Sequence, residues 1–226
     1  MTNTLHRFGS AESFHDDYIV FATPSKVKKD PDAVAKLQRF LEMALEFGPV
    51  NLGDARHGGA MRPSRTLAPL AHWRRDDKPD FEAVIKGVSV PATCAAVFDS
   101  QEKAQRFVKR VKEANLGISV NVSAAVDGAL ECCRFAGLSR HSVGYSLGFE
   151  GKTDKIPDAE TASLSTMCGH GMISHSLAKK MICLVKENRR TPEQAAAVLS
   201  RFCSCGIFNP SRARRILEHA RAGRPL

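Results

Sequence analysis

Apolar and polar positions in the first two thirds of the chain predict strands that alternate with helices. Residues 18–23 form a β-branched and aromatic run closed by Pro24, which is typical of a strand. Asp30 and Pro31 then begin a segment whose apolar residues recur every three or four positions as far as Gly48, which predicts an amphipathic helix. Residues 82–98 are rich in Val, Ile and Ala, and the glycine and proline inside this run predict two strands with a bend.

The next segments continue the alternation. Ser100 is a predicted N-cap for a helix that ends near Asn115. Residues 118–123 alternate in polarity, which predicts a half-buried strand, and residues 124–135 predict a further helix. Residues 142–149 predict a last strand. Strands that alternate both with helices and in polarity favour an α/β sandwich of ferredoxin-like type over a doubly wound parallel sheet.

Residues 50–79 show neither period and are rich in Gly, Arg and Pro. A segment of this length without a pattern is typical of a binding loop or of a disordered one. Arg56, Arg62 and Arg65 are the predicted substrate-binding cations here, and His57 is a candidate catalytic residue. A basic loop without a ligand is the alternative interpretation.

The last third of the chain is helical. Ser174, Thr191 and Asn209 each precede a run with an apolar stripe, and Thr191 and Asn209 are followed by proline at the first helical position. We therefore predict an α+β protein with a small all-helical C-terminal lobe. Its parts are a flexible arm over 1–17, an α/β sandwich over 18–150, a linker over 151–163 and a helical Cys-rich lobe over 164–226.

Composition and charge limit the class of protein. A hydrophobic fraction of 43% and a charged fraction of 25% are ordinary for a globular chain, and no apolar run reaches the ~18 residues of a membrane helix. The N-terminus lacks an apolar signal segment, so we expect a cytoplasmic protein without membrane contact. A net charge of +9 predicts an anionic partner, either nucleic acid or a small phosphorylated or carboxylated molecule, and a solvated basic surface is the alternative interpretation. One Trp and two Tyr supply little base stacking for nucleic acid. Association into a homo-oligomer stays open.

Three of the seven cysteines differ from the others. Cys168, Cys203 and Cys205 lie in loops with glycine and with His170, next to predicted helix ends, where thiolates are stabilised and bind metals. The remaining four have apolar neighbours and are predicted to be buried packing residues: Cys94, Cys132, Cys133 and Cys183.

Four interpretations of these loops compete. The first is a 4Fe-4S cluster held by Cys168, Cys203 and Cys205, with one open iron as Lewis acid in a lyase, hydratase or group-transfer enzyme. His170 and His57 would then be catalytic, and Asn209 a substrate contact. The second is a Cys₃His zinc site, the third a redox or nucleophilic thiol, and the fourth simple packing.

The zinc interpretation implies a different function. It predicts a zinc-stabilised basic protein that binds nucleic acid or an acidic partner. The contact would be made by the arginines of the last helix: Arg212, Arg214, Arg215, Arg221 and Arg224.

Overall fold

The structure is a computed structural model that describes residues 5–25, 30–61, 79–146 and 148–224. Over these residues the chain is a mixed α and β fold with a five-stranded antiparallel sheet and eight helices. The strands are β1 (Tyr18–Thr23), β2 (Asn51–Asp54), β3 (Gly58–Gly59), β4 (Cys94–Phe98) and β5 (Ser119–Ser123). The helices are α1 (Ala33–Leu45), α2 (Phe81–Gly87), α3 (Gln101–Ala114), α4 (Val126–Phe135), α5 (Ala159–Ser165), α6 (His175–Lys186), α7 (Pro192–Ser200) and α8 (Pro210–Ala222). None of these helices is both long enough and apolar enough to cross a bilayer.

The sheet has the strand order β3-β2-β4-β1-β5. In the centre, Val20 of β1 lies opposite Ala96 of β4 on one side and Val122 of β5 on the other. Nearly every residue of β1 and β4 is buried. A strand that is buried on both faces has a continuous run of apolar residues. This explains why residues 18–23 do not alternate between apolar and polar.

Helices cover both faces of this sheet. Val20 and Ala22 face a core that includes residues of α1, α2 and α3, whereas Ile19 and Phe21 face a second core formed with α5 to α8. The C-terminal helices therefore lie directly on the sheet. The division between 18–150 and 164–226 stays a prediction, but the second core draws its residues from both segments.

Two predicted elements differ from the structure. Residues 82–98 were expected to form two strands, but the first part is helix α2, and only Cys94–Phe98 is a strand. The side chain of Asp80 caps α2 by accepting a hydrogen bond from the Ala83 N–H, and the apolar residues of this segment are spaced for a helix: Phe81, Val84, Ile85 and Val88.

The predicted strand over 142–149 is also wrong. Its described residues are exposed and have no regular secondary structure. A strand needs a hydrogen-bonded neighbour, and apolar alternation alone does not supply one.

The opposite error occurs at β2 and β3, which are strands within the segment 50–79 that was expected to be irregular. Both are short and contain glycine, and β2 is fixed by pairing with β4.

The N-terminal residues contact the last helix. Asp17 is fully buried and accepts hydrogen bonds from the guanidinium groups of Arg7 and Arg212, the latter at 3.0 Å. Arg215 binds Asp16 at 2.7 and 2.8 Å. The prediction of a flexible arm over 1–17 did not anticipate these contacts, which use two arginines of the predicted basic helix inside the fold.

Candidate functional site

Two loops bring three thiols and one imidazole together. Cys168 and His170 follow α5, and Cys203 and Cys205 lie between α7 and α8. The Sγ atoms of Cys203 and Cys205 are 3.9 Å apart, the Sγ of Cys205 is 3.4 Å from Nδ1 of His170, and the Cys168 thiol is hydrogen-bonded to that of Cys203. The three cysteines are buried and His170 is exposed. The result is a continuous row of thiols beneath a surface imidazole.

Backbone conformation directs N–H groups at the sulfurs. Gly169 and Gly171, on either side of His170, have φ angles of +67° and +63°, a region that favours glycine. The turn directs the N–H groups of His170 and Met172 at the Cys168 sulfur, and the N–H of Cys205 at the Cys203 sulfur. Hydrogen bonds of this kind stabilise the thiolate form of cysteine.

The hairpin β2–β3 supports the second cysteine loop through glycine backbone. A Cβ atom on Gly53 would lie 1.8 Å from the carbonyl oxygen of Cys205, and one on Gly59 would lie 2.3 Å from the Cα of Gly206. Backbone thus packs on backbone at this point, and Cys205 is held in a fixed position against the sheet. The sequence analysis did not predict this contact between the hairpin and the Cys205 loop. The closely spaced glycines of residues 53–59 were the feature of the sequence that could have indicated it.

Without a cation, Cys168 and Cys203 have raised pKa values and resist ionisation. The pKa of Cys168 is raised, first by its hydrogen bond with Cys203 and then by burial. For Cys203, the hydrogen bond with Cys168 lowers the pKa, but the contact with Cys205 and burial outweigh it and raise the pKa to about 11. Protonated thiols are poor nucleophiles, which counts against Cys168 and Cys203 as nucleophiles. A bound metal ion would reverse this balance by attracting the thiolates.

Two spacings within the row resemble those of metal ligands, although the side chains do not surround a common centre. Among the described residues, no group of three or more His, Cys, Asp or Glu side chains is placed so that it could hold a metal ion as it stands. The two spacings within the row are nevertheless those of neighbouring ligands on one tetrahedral ion. Bond lengths to zinc place two thiolates about 3.8 Å apart, and a thiolate and an imidazole nitrogen about 3.6 Å apart.

The other predicted site residues lie elsewhere. Asn209 is buried at the N-cap of α8, where its Oδ1 accepts from the Arg212 N–H and its Nδ2 donates to Asp16 and Asp17. Its amide is fully used within the fold. Arg56 is exposed, and Arg62 and Arg65 lie outside the described residues.

His57 does not join the thiol row in the part of the chain that the structure describes. Its ring is hydrogen-bonded to Asp54 and lies close to Ser89, two residues that sequence analysis did not select. Of the other cysteines, Cys94 and Cys132 are buried as expected, Cys133 is half-buried, and Cys183 is exposed, contrary to the prediction.

Comparison with known proteins identifies no relative. No protein family matches the chain, and no curated protein or solved structure has significant similarity to it. Inference about function therefore depends on the chemistry of the chain itself.

Proposed function

We propose that the protein binds one zinc ion through Cys168, Cys203, Cys205 and His170, and that the ion ties the C-terminal helices to each other beside the sheet. The observation that carries this proposal is the row of contacts, with spacings of 3.9 Å between two thiols and 3.4 Å between a thiol and the imidazole. Closure around an ion requires rotation of the Cys168 thiol and of the exposed His170 ring toward a common centre. The glycines that flank His170 favour such an adjustment.

A single ion suits the spacing better than a cluster. In a 4Fe-4S cube each thiolate binds a different iron at a different corner, so the sulfurs must stand well apart. The Sγ atoms of Cys203 and Cys205 are in contact instead, and only one residue separates them in the chain. The iron–sulfur enzyme, with its open iron and its small anionic substrate, stays a prediction. The metal analysis described below tests it together with the zinc proposal.

A small anionic ligand is the proposed partner. A shallow cavity of about 200 Å³ lies beside the loop that carries Cys168. Lys152 and Lys155 supply positive charge at its wall, His175 supplies a polar ring, and Phe149, Ile156 and Pro157 supply apolar surface. This combination supports an anion with a small apolar part. Nucleic acid is less favoured, since two arginines of α8 are bound to Asp16 and Asp17.

The proposed architecture of the sheet is ferredoxin-like. Two crossover units, β1–α1–β2 and β4–α3–β5, are interleaved so that β4 and β1 lie in the centre of the sheet. This strand order supports the proposal, with α5 to α8 as an addition on the second face.

Metal analysis of protein purified without oxygen tests the proposed function. We expect about one zinc per chain and no acid-labile sulfide, and we expect Cys203→Ala or Cys205→Ala to lower zinc occupancy at least tenfold, because each removes one of four ligands. His170→Ala should weaken zinc binding by a smaller factor, since the three thiolates remain.

Matched controls come from the same chain. Cys94→Ala removes a buried thiol and Cys183→Ala an exposed one, and both should leave metal content unchanged. Iron with acid-labile sulfide would replace the zinc assignment by the cluster. Metal-free protein that does not bind added zinc would contradict both.

A further inference from the structure

A second cluster of reactive side chains lies at the end of β2. The Asp54 side chain is fully buried and its Oδ2 accepts a hydrogen bond from Nδ1 of His57. The other ring nitrogen of His57, Nε2, lies 3.4 Å from Oγ of Ser89. The His57 side chain is 42% exposed, and Ser89 is exposed as well. A carboxylate, an imidazole and a hydroxyl thus follow one another from the interior to the surface.

Both ends of this row are held by the fold. Asp54 is the last residue of β2, and its Oδ1 accepts the Arg56 N–H at 2.9 Å, which fixes the carboxylate within the hairpin turn. Ser89 follows Val88, whose side chain is 2% exposed and whose carbonyl accepts a hydrogen bond from Nε2 of Gln38 at 3.1 Å. Helix α2 itself packs on β2. The approach of Ser89 to His57 is therefore set by anchored backbone on both sides.

The carboxylate determines which ring nitrogen carries the proton. An ionised Asp54 only accepts hydrogen bonds, so Nδ1 of His57 must be the donor. Nε2 is then left with a lone pair toward the hydroxyl of Ser89. A base of this orientation takes a proton from a serine hydroxyl, and a buried carboxylate behind it stabilises the imidazolium that forms. The spacing of 3.4 Å is long for a hydrogen bond, as is usual for such pairs without substrate.

We propose that Ser89, His57 and Asp54 form a second, catalytic site that hydrolyses small carboxylic esters. Oγ of Ser89 attacks the ester carbonyl carbon while its proton passes to Nε2 of His57. The bond to the alcohol oxygen then breaks, and His57 returns the proton to that oxygen. Water attacks the acyl-serine with His57 as base, which releases the carboxylic acid and restores the hydroxyl. The balance is one ester and one water converted to one acid and one alcohol.

The surroundings define the substrate class. Ser89 and His57 are both at the surface, so an ester group on an accessible, unbranched chain reaches them without a deep pocket. Arg56 is exposed and adjacent to His57 in the chain, which favours an acid part with a negative charge. The chemistry of this site needs none of the cysteines.

The test is covalent labelling of the full chain by a fluorophosphonate, which reacts with activated serine hydroxyls and not with ordinary ones. Mass spectrometry locates the label, and we expect it on Ser89. Asp54→Asn keeps an Oδ1 acceptor for the Arg56 N–H but presents an amide N–H to Nδ1 of His57. The ring proton then moves to Nε2, and labelling should slow by at least about 100-fold.

Controls separate this site from general reactivity. Ser142→Ala and His141→Ala change exposed residues of the same kinds and should leave the labelling rate unchanged. Hydrolysis of p-nitrophenyl acetate serves as a second readout, compared with His141→Ala because any exposed imidazole attacks this ester. Circular dichroism establishes that each variant is folded. A folded wild-type chain in which Ser89 is labelled no faster than Ser142 overturns the proposal, and so does equal labelling of Asp54→Asn.

Discussion

At the scale of single residues, the guanidinium of Arg212 is the group whose burial needs the most compensation, because a buried charge loses its hydration. It is fully buried, with its charge 3.0 Å from Asp17 and its plane 3.8 Å from the centre of the Phe14 ring. Burial lowers the pKa of Arg212 to about 10 even though Asp17 opposes that change. Arg7 binds the same carboxylate. One aspartate thus compensates two cations that are nearly or fully withdrawn from water.

Asp17→Asn should be strongly destabilising. It removes the carboxylate that both guanidinium groups contact, and removal of one partner from a buried pair costs about 3–5 kcal/mol of unfolding free energy. Urea unfolding at neutral pH measures the change. Asp127→Asn, at an exposed position of α4, is the matched control and should be neutral. Equal midpoints for the two variants would show that the carboxylate of Asp17 contributes no net stability.

At the scale of elements, the contact between the β2–β3 hairpin and the loop of Cys205 links the sheet to the thiol row. Gly53, Gly59 and Gly206 meet at this contact without side chains between them, and Gly206 has a φ of +71°. Asn51 reinforces the contact, since its Nδ2 donates to the carbonyl of Phe208 at 2.9 Å. A hairpin too short to be stable alone is thereby fixed on both sides.

Gly53→Ala should separate the hairpin from the loop. The added Cβ would overlap the Cys205 carbonyl at 1.8 Å, and neither backbone has room to move without loss of β2 pairing. We expect at least about 3 kcal/mol of destabilisation, and weaker zinc binding if the proposed site is correct. Gly87→Ala is the control, because nothing lies within 4 Å of its Cβ position and the change favours α2. Unchanged thermal stability in Gly53→Ala would contradict this contact.

At the scale of the whole molecule, the sheet is the wall between two cores. Ile19, Phe21 and Val97 are fully buried on the side of α5 to α8. Burial of such side chains contributes about 1.5–3 kcal/mol each. Their sum is a large share of the stability of an ordinary domain, which is about 5–15 kcal/mol. The α/β part therefore depends on the C-terminal helices for one of its faces.

A fragment of residues 1–157 tests this dependence. Without α5 to α8 the second face of the sheet meets water, so we expect the fragment to lack a cooperative thermal transition and to bind a hydrophobic dye. Circular dichroism and dye fluorescence measure both properties. A cooperative transition close to that of the full chain would instead establish that 18–150 folds as an independent domain, as the composition of the 151–163 segment suggests.

Local chemistry made most of the described helices predictable. Ser100, Ser174, Thr191 and Asn209 were each expected to cap a helix, and in the structure each side chain accepts the N–H three residues ahead. Such interactions close within one turn and need no distant partner. Cysteines beside glycines likewise pointed to one cluster, and the structure brings Cys168, Cys203, Cys205 and His170 into contact.

Tertiary structure alone decided the features that join distant segments. The short strand β2 exists because β4 lies beside it, while 142–149 has the alternation of a strand and lacks a pairing neighbour among the described residues. Asp17 and Arg212 meet across most of the chain, and Ser89 reaches His57 only because α2 packs on β2. The sequence by itself determined six of the eight described helices, all except α2 and α5, and which cysteines belong together, because caps and periodicity are local. It left the sheet edges, the buried charges and the Asp54–His57–Ser89 row to the fold, because their energies depend on partners that the local pattern does not encode.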